Sequence, residues 1–273
     1  MRKWYFSKGH GTQNDFVIVL DRHGMLPLTA ASVRRLTHRR AGIGADGVLR
    51  AIKARHIPEW DGDPELWFMD YRNADGSIAE MCGNGLRVFV RYLLEENLAS
   101  GERIDIATRA GLRSVWQRPD GLLRASMGSA TVTGEVIVHA EDREWPATMV
   151  DVGNPHAVVF LESAEELEAL RLHDAPTWTP SEAFPHGANV EFVVASPDKL
   201  TMRVYERGSG ETDSCGTGVV ASAAAYAHRE QIGPCSVRVD VRGGSLEVEL
   251  ATEQAFLTGP AVIIGTGEAN LPA

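Results

Sequence analysis

Short apolar runs broken by turn residues dominate this chain. "FVIVL" (Phe16–Leu20), "LWFMDYR" (Leu66–Arg72), "AVVFL" (Ala157–Leu161), "VEFVVA" (Val190–Ala195), "LTMRVYE" (Leu200–Glu206), "SVRVDV" (Ser236–Val241) and "SLEVEL" (Ser245–Leu250) are rich in β-branched and aromatic residues, and each predicts a strand. Two segments read differently. "GLRVFVRYLLEEN" (Gly85–Asn97) repeats apolar residues at helical spacing. "GVVASAAAYAHRE" (Gly218–Glu230) is almost entirely small and apolar, and its closing His-Arg suits the negative end of a helix dipole. A helix apolar on nearly every side predicts a central, buried one.

The pattern repeats. "GTQNDFVIVL" (Gly11–Leu20) resembles "VGNPHAVVFL" (Val152–Leu161), and "ADGVLRAIKA" (Ala45–Ala54) parallels "ANVEFVVASP" (Ala188–Pro197). "LWFMDYRNADG" (Leu66–Gly76) parallels "LTMRVYERGSG" (Leu200–Gly210). Each half then reaches a Cys-Gly-x-Gly, at Cys82 and at Cys215, where a helix should open. The insertion "RHIPEWDGDPE" reads as a loop of the first half. The expectation is an α/β (α+β) protein of two similar halves, each a curved, mostly antiparallel sheet around one helix. The halves would be residues 1–122, joined by residues 260–273 if the tail returns to them, and residues 123–259. A linker is expected between Gln117 and Thr131.

Composition narrows the possibilities. The 273 residues are 44% hydrophobic and 23% charged, which are globular values. A net charge of −10 argues against nucleic acid as a partner. No apolar run approaches the ~20 residues of a membrane helix, and "MRKWYFSKGH" lacks a signal-peptide core. Three cysteines, an odd number, and no Asn-x-Ser/Thr sequon predict a reducing cytoplasm.

The chemistry centres on two cysteines. A thiol at a helix N-terminus meets unpaired N–H groups and the positive dipole end, which lower its pKa. The same N–H groups can cradle a carboxylate, and the following glycines allow close approach. Two such thiols suit inversion of a carbon α to a carboxylate, one removing a proton from one face and the other returning one on the opposite face. A single cysteine of this kind is more often a buried small hydrophobe; two in matching positions of a repeat favour catalysis. Cys235, at the start of a strand, has no such setting. "GIGADG" (Gly42–Gly47) fits the dinucleotide pattern but leads into a strand rather than a helix, so it is a chance match. No metal or nucleotide motif is present, and no cofactor is expected.

With these residues in place the sequence resembles the diaminopimelate epimerases, through "GHGTQNDFVIV", "GIGADGVL", "RNADGSIAEMCGNGLR", "GNPHAVV", "ANVEF" and "ERGSGETDSCGTG". The resemblance implies a cofactor-independent enzyme, commonly a homodimer, that interconverts LL- and meso-diaminopimelate for lysine and peptidoglycan synthesis. It implies a pseudo-two-fold pair of domains. Cys82 would be the proton donor and Cys215 the acceptor for the LL substrate. Asn14, Asn73, Asn154 and Asn189 would bind substrate. Gly83-Asn84 and Gly216-Thr217 would be backbone cradles, Glu206 and Arg207 would contact the distal amino-acid end, and His156 and Glu206 would tune the thiols. Two positions depart from the family. Gln13 stands where many members have glycine, and Gly47 where many have a substrate-contacting glutamine. Proline racemases and hydroxyproline epimerases share the paired-cysteine logic, and phenazine-pathway isomerases share the fold without the cysteine pair. A redox switch or a carboxylate-binding module would use the same thiols without turnover.

Overall fold

A computed structural model describes residues 2–271. They form two compact units, one of Ser126–Gly259 and one of the other described residues, through Ala125 and again from Pro260. The chain begins β1 (Arg2–Gly11), β2 (Asn14–Asp21), α1 (Ala30–Thr37), β3 (Gly47–Lys53), β4 (Trp67–Asn73), α2 (Gly83–Glu95), β5 (Arg103–Thr108), β6 (Gly111–Gln117), β7 (Leu123–Gly128). It continues β8 (Thr131–Ala140), β9 (Arg143–Asp151), β10 (Pro155–Leu161), α3 (Ala164–Ala169), β11 (Thr177–Thr179), β12 (Asn189–Ser196), β13 (Lys199–Glu206), β14 (Gly210–Thr212). It ends α4 (Gly216–Arg229), β15 (Cys235–Val241), β16 (Gly244–Leu250), β17 (Ala255–Gly259), β18 (Val262–Leu271).

Both units follow one pairing scheme. In the first, β18, β1 and β2 are antiparallel neighbours, β2 is parallel to β3, β3 antiparallel to β4, β4 parallel to β5, and β5, β6 and β7 antiparallel. In the second, β8, β9 and β10 are antiparallel, β10 is parallel to β12, β12 antiparallel to β13, β13 parallel to β15, and β15, β16 and β17 antiparallel. Parallel pairs need crossover connections. The crossovers carry α1 and α2 in one unit and α3 and α4 in the other. In the first unit, the strand corresponding to β8 is supplied by the far end of the chain as β18, paired along β1 from Tyr5↔Glu268 to His10↔Val262. The stretch expected as a linker instead carries β7, and Leu123 and Ala125 pair with Gln117 and Val115 of β6.

Helices on both faces explain why the strands read as continuous apolar runs. In β2, Phe16 and Ile18 join the cluster around α2 (Leu86, Phe89, Val90, Leu93), while Val17 and Val19 pack with Val33 and Leu36 of α1. In the second unit, α4 packs on β9, β10, β12 and β13, and α3 lies on β10, β12 and β13. The helix α4 is buried from Val219 through Ala225, as its composition predicts. No helix among the described residues is long and apolar enough to cross a membrane.

A buried charge cluster in the first unit interrupts this packing. Asp70 of β4 is wholly buried and ion-paired to Arg50 at 2.7 Å, Arg109 at 2.7 Å and Arg72 at 3.1 Å. Burial alone would raise its pKa; Arg50, Arg109 and Arg72 together outweigh that and hold the carboxyl below its ordinary range. Because the folded pKa is lowered, this stabilisation is full above the unfolded value and is lost as pH falls through the folded one. Asp70→Asn leaves three guanidinium groups facing one another and should cost about 3–5 kcal/mol in urea unfolding at pH 7. It should also flatten the acid limb of the stability–pH curve below about pH 4. A variant as stable as the parent, with an unchanged acid limb, would contradict the role of this cluster.

Candidate active site

Each unit presents a cysteine as the N-cap of its central helix. Cys82 (φ −144°, ψ 120°) caps α2, and the Gly85 N–H donates to its Sγ at 3.3 Å. Cys215 (φ −119°, ψ 113°) caps α4, and the Gly218 N–H donates to its Sγ at 3.4 Å. The sulfur does the work that a serine or aspartate oxygen usually does at this position. First-turn N–H groups follow each cysteine, at Gly83-Asn84 and Gly216-Thr217, and a helix N-terminus is suited to an anion.

In the first unit Cys82 is half-buried, with Sγ 3.6 Å from Asn14 Oδ1. A directed chain of hydrogen bonds runs past it. Arg87 Nη2 donates to Asn84 Oδ1 at 2.9 Å, Asn84 Nδ2 to Asn14 Oδ1 at 3.3 Å, and Asn14 Nδ2 to Asp46 Oδ2 at 2.8 Å. The guanidinium at one end can only donate and the carboxylate at the other can only accept, so both amides are oriented by the ends. Arg87 is completely buried, and its remaining bonds go to the carbonyls of Gly83 and Pro260. Burial pushes it down to about 10. Asn73, at the end of β4, instead bonds Ser77 Oγ at 3.0 Å and makes no hydrogen bond to this group.

In the second unit Cys215 is buried, and Sγ lies 3.5 Å from Thr217 Oγ1. Asn154 Nδ2 donates to Thr217 Oγ1 at 3.5 Å, His156 Nε2 lies 3.0 Å from Asn154 Oδ1, and His156 Nδ1 lies 2.7 Å from Glu191 Oε1. The expectation that both thiols have lowered pKa values fails here. Burial, then Glu206, then Glu191 push Cys215 well above the ordinary thiol value, against the Thr217 hydroxyl and the Gly218 N–H. A helix terminus contributes partial charge, and desolvation beside two carboxylates exceeds it. Asn189 and Arg207 are brought together, the Arg207 N–H donating to Asn189 Oδ1 at 2.9 Å. The Arg207 side chain is exposed and bonds the carbonyls of His186 and Gly187. Glu206 ends β13 and accepts from the Thr212 hydroxyl.

The two departures have structural readings. Gln13 has φ 66°, the left-handed region that favours the glycine many relatives carry. At Gly47 a Cβ would lie 2.6 Å from Arg72 O, so this backbone leaves no room for a side chain. Among the described residues no group of three or more His, Cys, Asp or Glu could hold a metal ion.

Sequence reasoning missed Arg87 and Glu191. Each announces itself as a charge inside an apolar run, in "GLRVFV" and in "NVEFVV". The two glycines facing these floors give a paired prediction. A Cβ on Gly85 would meet Cys82, Leu49 and Phe16 at ordinary contact, 3.4 Å, whereas one on Gly218 would strike Glu191 Oε1 at 2.5 Å. Gly85→Ala should therefore be neutral or slightly stabilising in urea unfolding, since alanine favours helix. Gly218→Ala should lose about 1–3 kcal/mol. Equal effects on the two units would contradict the geometry.

The chain is similar to known proteins in sequence and in fold. The family Diaminopimelate epimerase matches residues 6–133 and 148–270. A diaminopimelate epimerase of Streptomyces coelicolor is 46% identical over 96% of this chain and 94% of its own. One of Thermobifida fusca is 46% identical over 98% of each. Among solved structures, a phenazine biosynthesis protein of the PhzF family from Bacillus anthracis matches 99% of this chain and 100% of its own, with TM-score 0.77 at 15% identity. A hydroxyproline epimerase from Agrobacterium vitis matches 98% of this chain and 92% of its own, with TM-score 0.66 at 17% identity. These last two speak to the fold alone. By sequence over nearly its whole length, and with a cysteine capping the central helix of each repeat, the chain belongs to the diaminopimelate epimerase family.

Proposed function

We propose that this protein interconverts LL- and meso-diaminopimelate without a cofactor, with Cys82 and Cys215 exchanging roles as base and acid, in amino-acid biosynthesis. The observation that carries the reading is the same N-cap cysteine in both repeats. In the chemistry, a thiolate takes the α-proton: the C–H bond breaks, an S–H bond forms, and the electron pair stays on the substrate. The second thiol gives its proton to the other face. Charge developing on the substrate carboxylate would be met by the N-terminal ends of α2 and α4, whose dipoles are already oriented before reaction. Asn14 and Asn154 support the reading. Each lies two residues before a corresponding position on its strand, Phe16 paired with Gly47 and His156 paired with Asn189. Arg207, with its exposed guanidinium, is suited to the substrate's second amino-acid head, which proline lacks. The odd number of cysteines, three, supports residence in the cytoplasm.

We also infer a homodimer. Tyr5, Val262 and Ile264 are large apolar residues exposed on the adjoining strands β1 and β18. Tyr5→Glu combined with Ile264→Glu should halve the mass seen by light scattering; an unchanged oligomer would place the interface elsewhere.

The function itself is tested by dissecting the thiols. Cys82→Ala and Cys215→Ala should each abolish net epimerisation. Each variant is then limited to the face its remaining thiol serves, so α-proton exchange with deuterium should persist from one isomer only. Serine at either position should still cost at least about 10²–10⁴-fold, the worth of a general acid–base group. Cys235→Ala should leave the rate unchanged. Near-normal inversion by either alanine variant would overturn the two-thiol reading.

A further inference from the structure

Beneath each N-cap cysteine the two units use the same backbone positions and fill them with different side chains, which bring a cation to one unit and a carboxylate to the other. The fifth residue of α2 is Arg87, and the fifth of α4 is Val220. On the strands, Phe16 pairs with Gly47 and Leu49 lies two residues on; His156 pairs with Asn189 and Glu191 lies two residues on. The glycines report the same equivalence, since a Cβ on Gly85 would touch Phe16 and Leu49 and one on Gly218 would strike Glu191. The first unit therefore holds Phe, Leu and Arg where the second holds His, Glu and Val.

Stability alone does not account for this. Phe16 and Leu49 show that apolar side chains fit the strand positions, and apolar replacement of a buried ion pair is often neutral or stabilising. The second unit nonetheless buries His156 and Glu191 fully, and Glu191 Oε2 has no hydrogen-bond partner. Arg87 is buried equally, without a carboxylate.

The charges differ in what they favour at sulfur. The Arg87 guanidinium and an anionic Cys82 stabilise one another. The nearest carboxylate in the chain of hydrogen bonds at Cys82 is Asp46, on the far side of Asn14. Asn14 Oδ1 meets the sulfur as a dipole. The charged groups acting at Cys215 are Glu206 and Glu191, with His156 bonded to Glu191. Two carboxyl groups and one imidazole therefore surround Cys215.

We propose that Arg87 and Glu191 are positioning residues that set which thiol is ionised before substrate binds, making Cys82 the thiolate and Cys215 the thiol. Resting on the paired-thiol reading above, the free enzyme is poised to remove a proton with Cys82 and return one from Cys215. With Cys215 as the acceptor for the LL isomer, as the family resemblance implies, the resting form takes the meso isomer. A proton must first pass from Cys215 to Cys82 by way of solvent before an LL molecule can react.

The test reads thiol ionisation without substrate. Iodoacetamide alkylation of each cysteine is followed against pH, resolved by peptide mass spectrometry, and the midpoint of each profile is compared. In the wild-type protein the Cys82 midpoint should lie about one pH unit or more below that of Cys215. Glu191→Gln should lower the Cys215 midpoint and leave that of Cys82 in place. Arg87→Met should raise the Cys82 midpoint, and Arg87→Lys should restore it. If Arg87→Met does not fold, the wild-type order and the Glu191→Gln shift still decide. Equal or reversed midpoints, or a Cys215 midpoint indifferent to Glu191→Gln, would overturn the proposal. Failure to epimerise diaminopimelate would instead overturn the function while leaving these midpoints readable.

Discussion

An α-helix begins with N–H groups that its own carbonyls cannot reach, and something must satisfy them. Here a cysteine does so in each unit, with Gly85 and Gly218 donating to sulfur. That contact fixes the rest of the site. It holds the thiol at the helix mouth, keeps neighbouring donors open to an anion, and requires small residues after the cysteine so that a ligand can approach the backbone. The sheet around each helix then has one task, which is to bury α2 or α4 while delivering Asn14 or Asn154 beside the cap.

Duplication supplies two such mouths, and the side chains beneath them make the two chemically unlike. Phe16, Leu49 and Arg87 lie under one thiol, and His156, Glu191 and Val220 occupy the corresponding places under the other. A buried charge in low dielectric acts on its neighbours far more strongly than one in water. On the reading proposed above, three side-chain differences in a repeated scaffold divide the roles of acid and base. The same economy appears in β18, which completes the first sheet with residues from the far end of the chain.

Much of this was legible in the sequence. Apolar runs of strand length, one nearly all-apolar helix and the recurring Cys-Gly-x-Gly carried the two-unit α/β fold and both cysteines. The segment after Gln117 was not legible as β7, because a short strand with the Gly121 turn before it resembles a linker in composition. The thiol pKa was misjudged at Cys215 because local sequence shows the helix terminus and hides the burial of the thiol and the carboxyl groups of Glu206 and Glu191, which the fold brings to it. Arg87 was passed over as part of an amphipathic pattern, whereas the fold buries that side of α2 completely. Burial of a charge is a tertiary fact, and only its oddity within an apolar run is visible beforehand.

The central claim is that two thiols act on opposite faces of one α-carbon. The most direct measurement is NMR of LL-diaminopimelate incubated with the wild-type protein in D₂O. The account predicts meso product carrying deuterium at the inverted carbon and hydrogen at the other, while unreacted LL substrate at early times retains hydrogen at both. Deuterium appearing in the recovered LL substrate as fast as in the product would show a single base serving both faces and would contradict it.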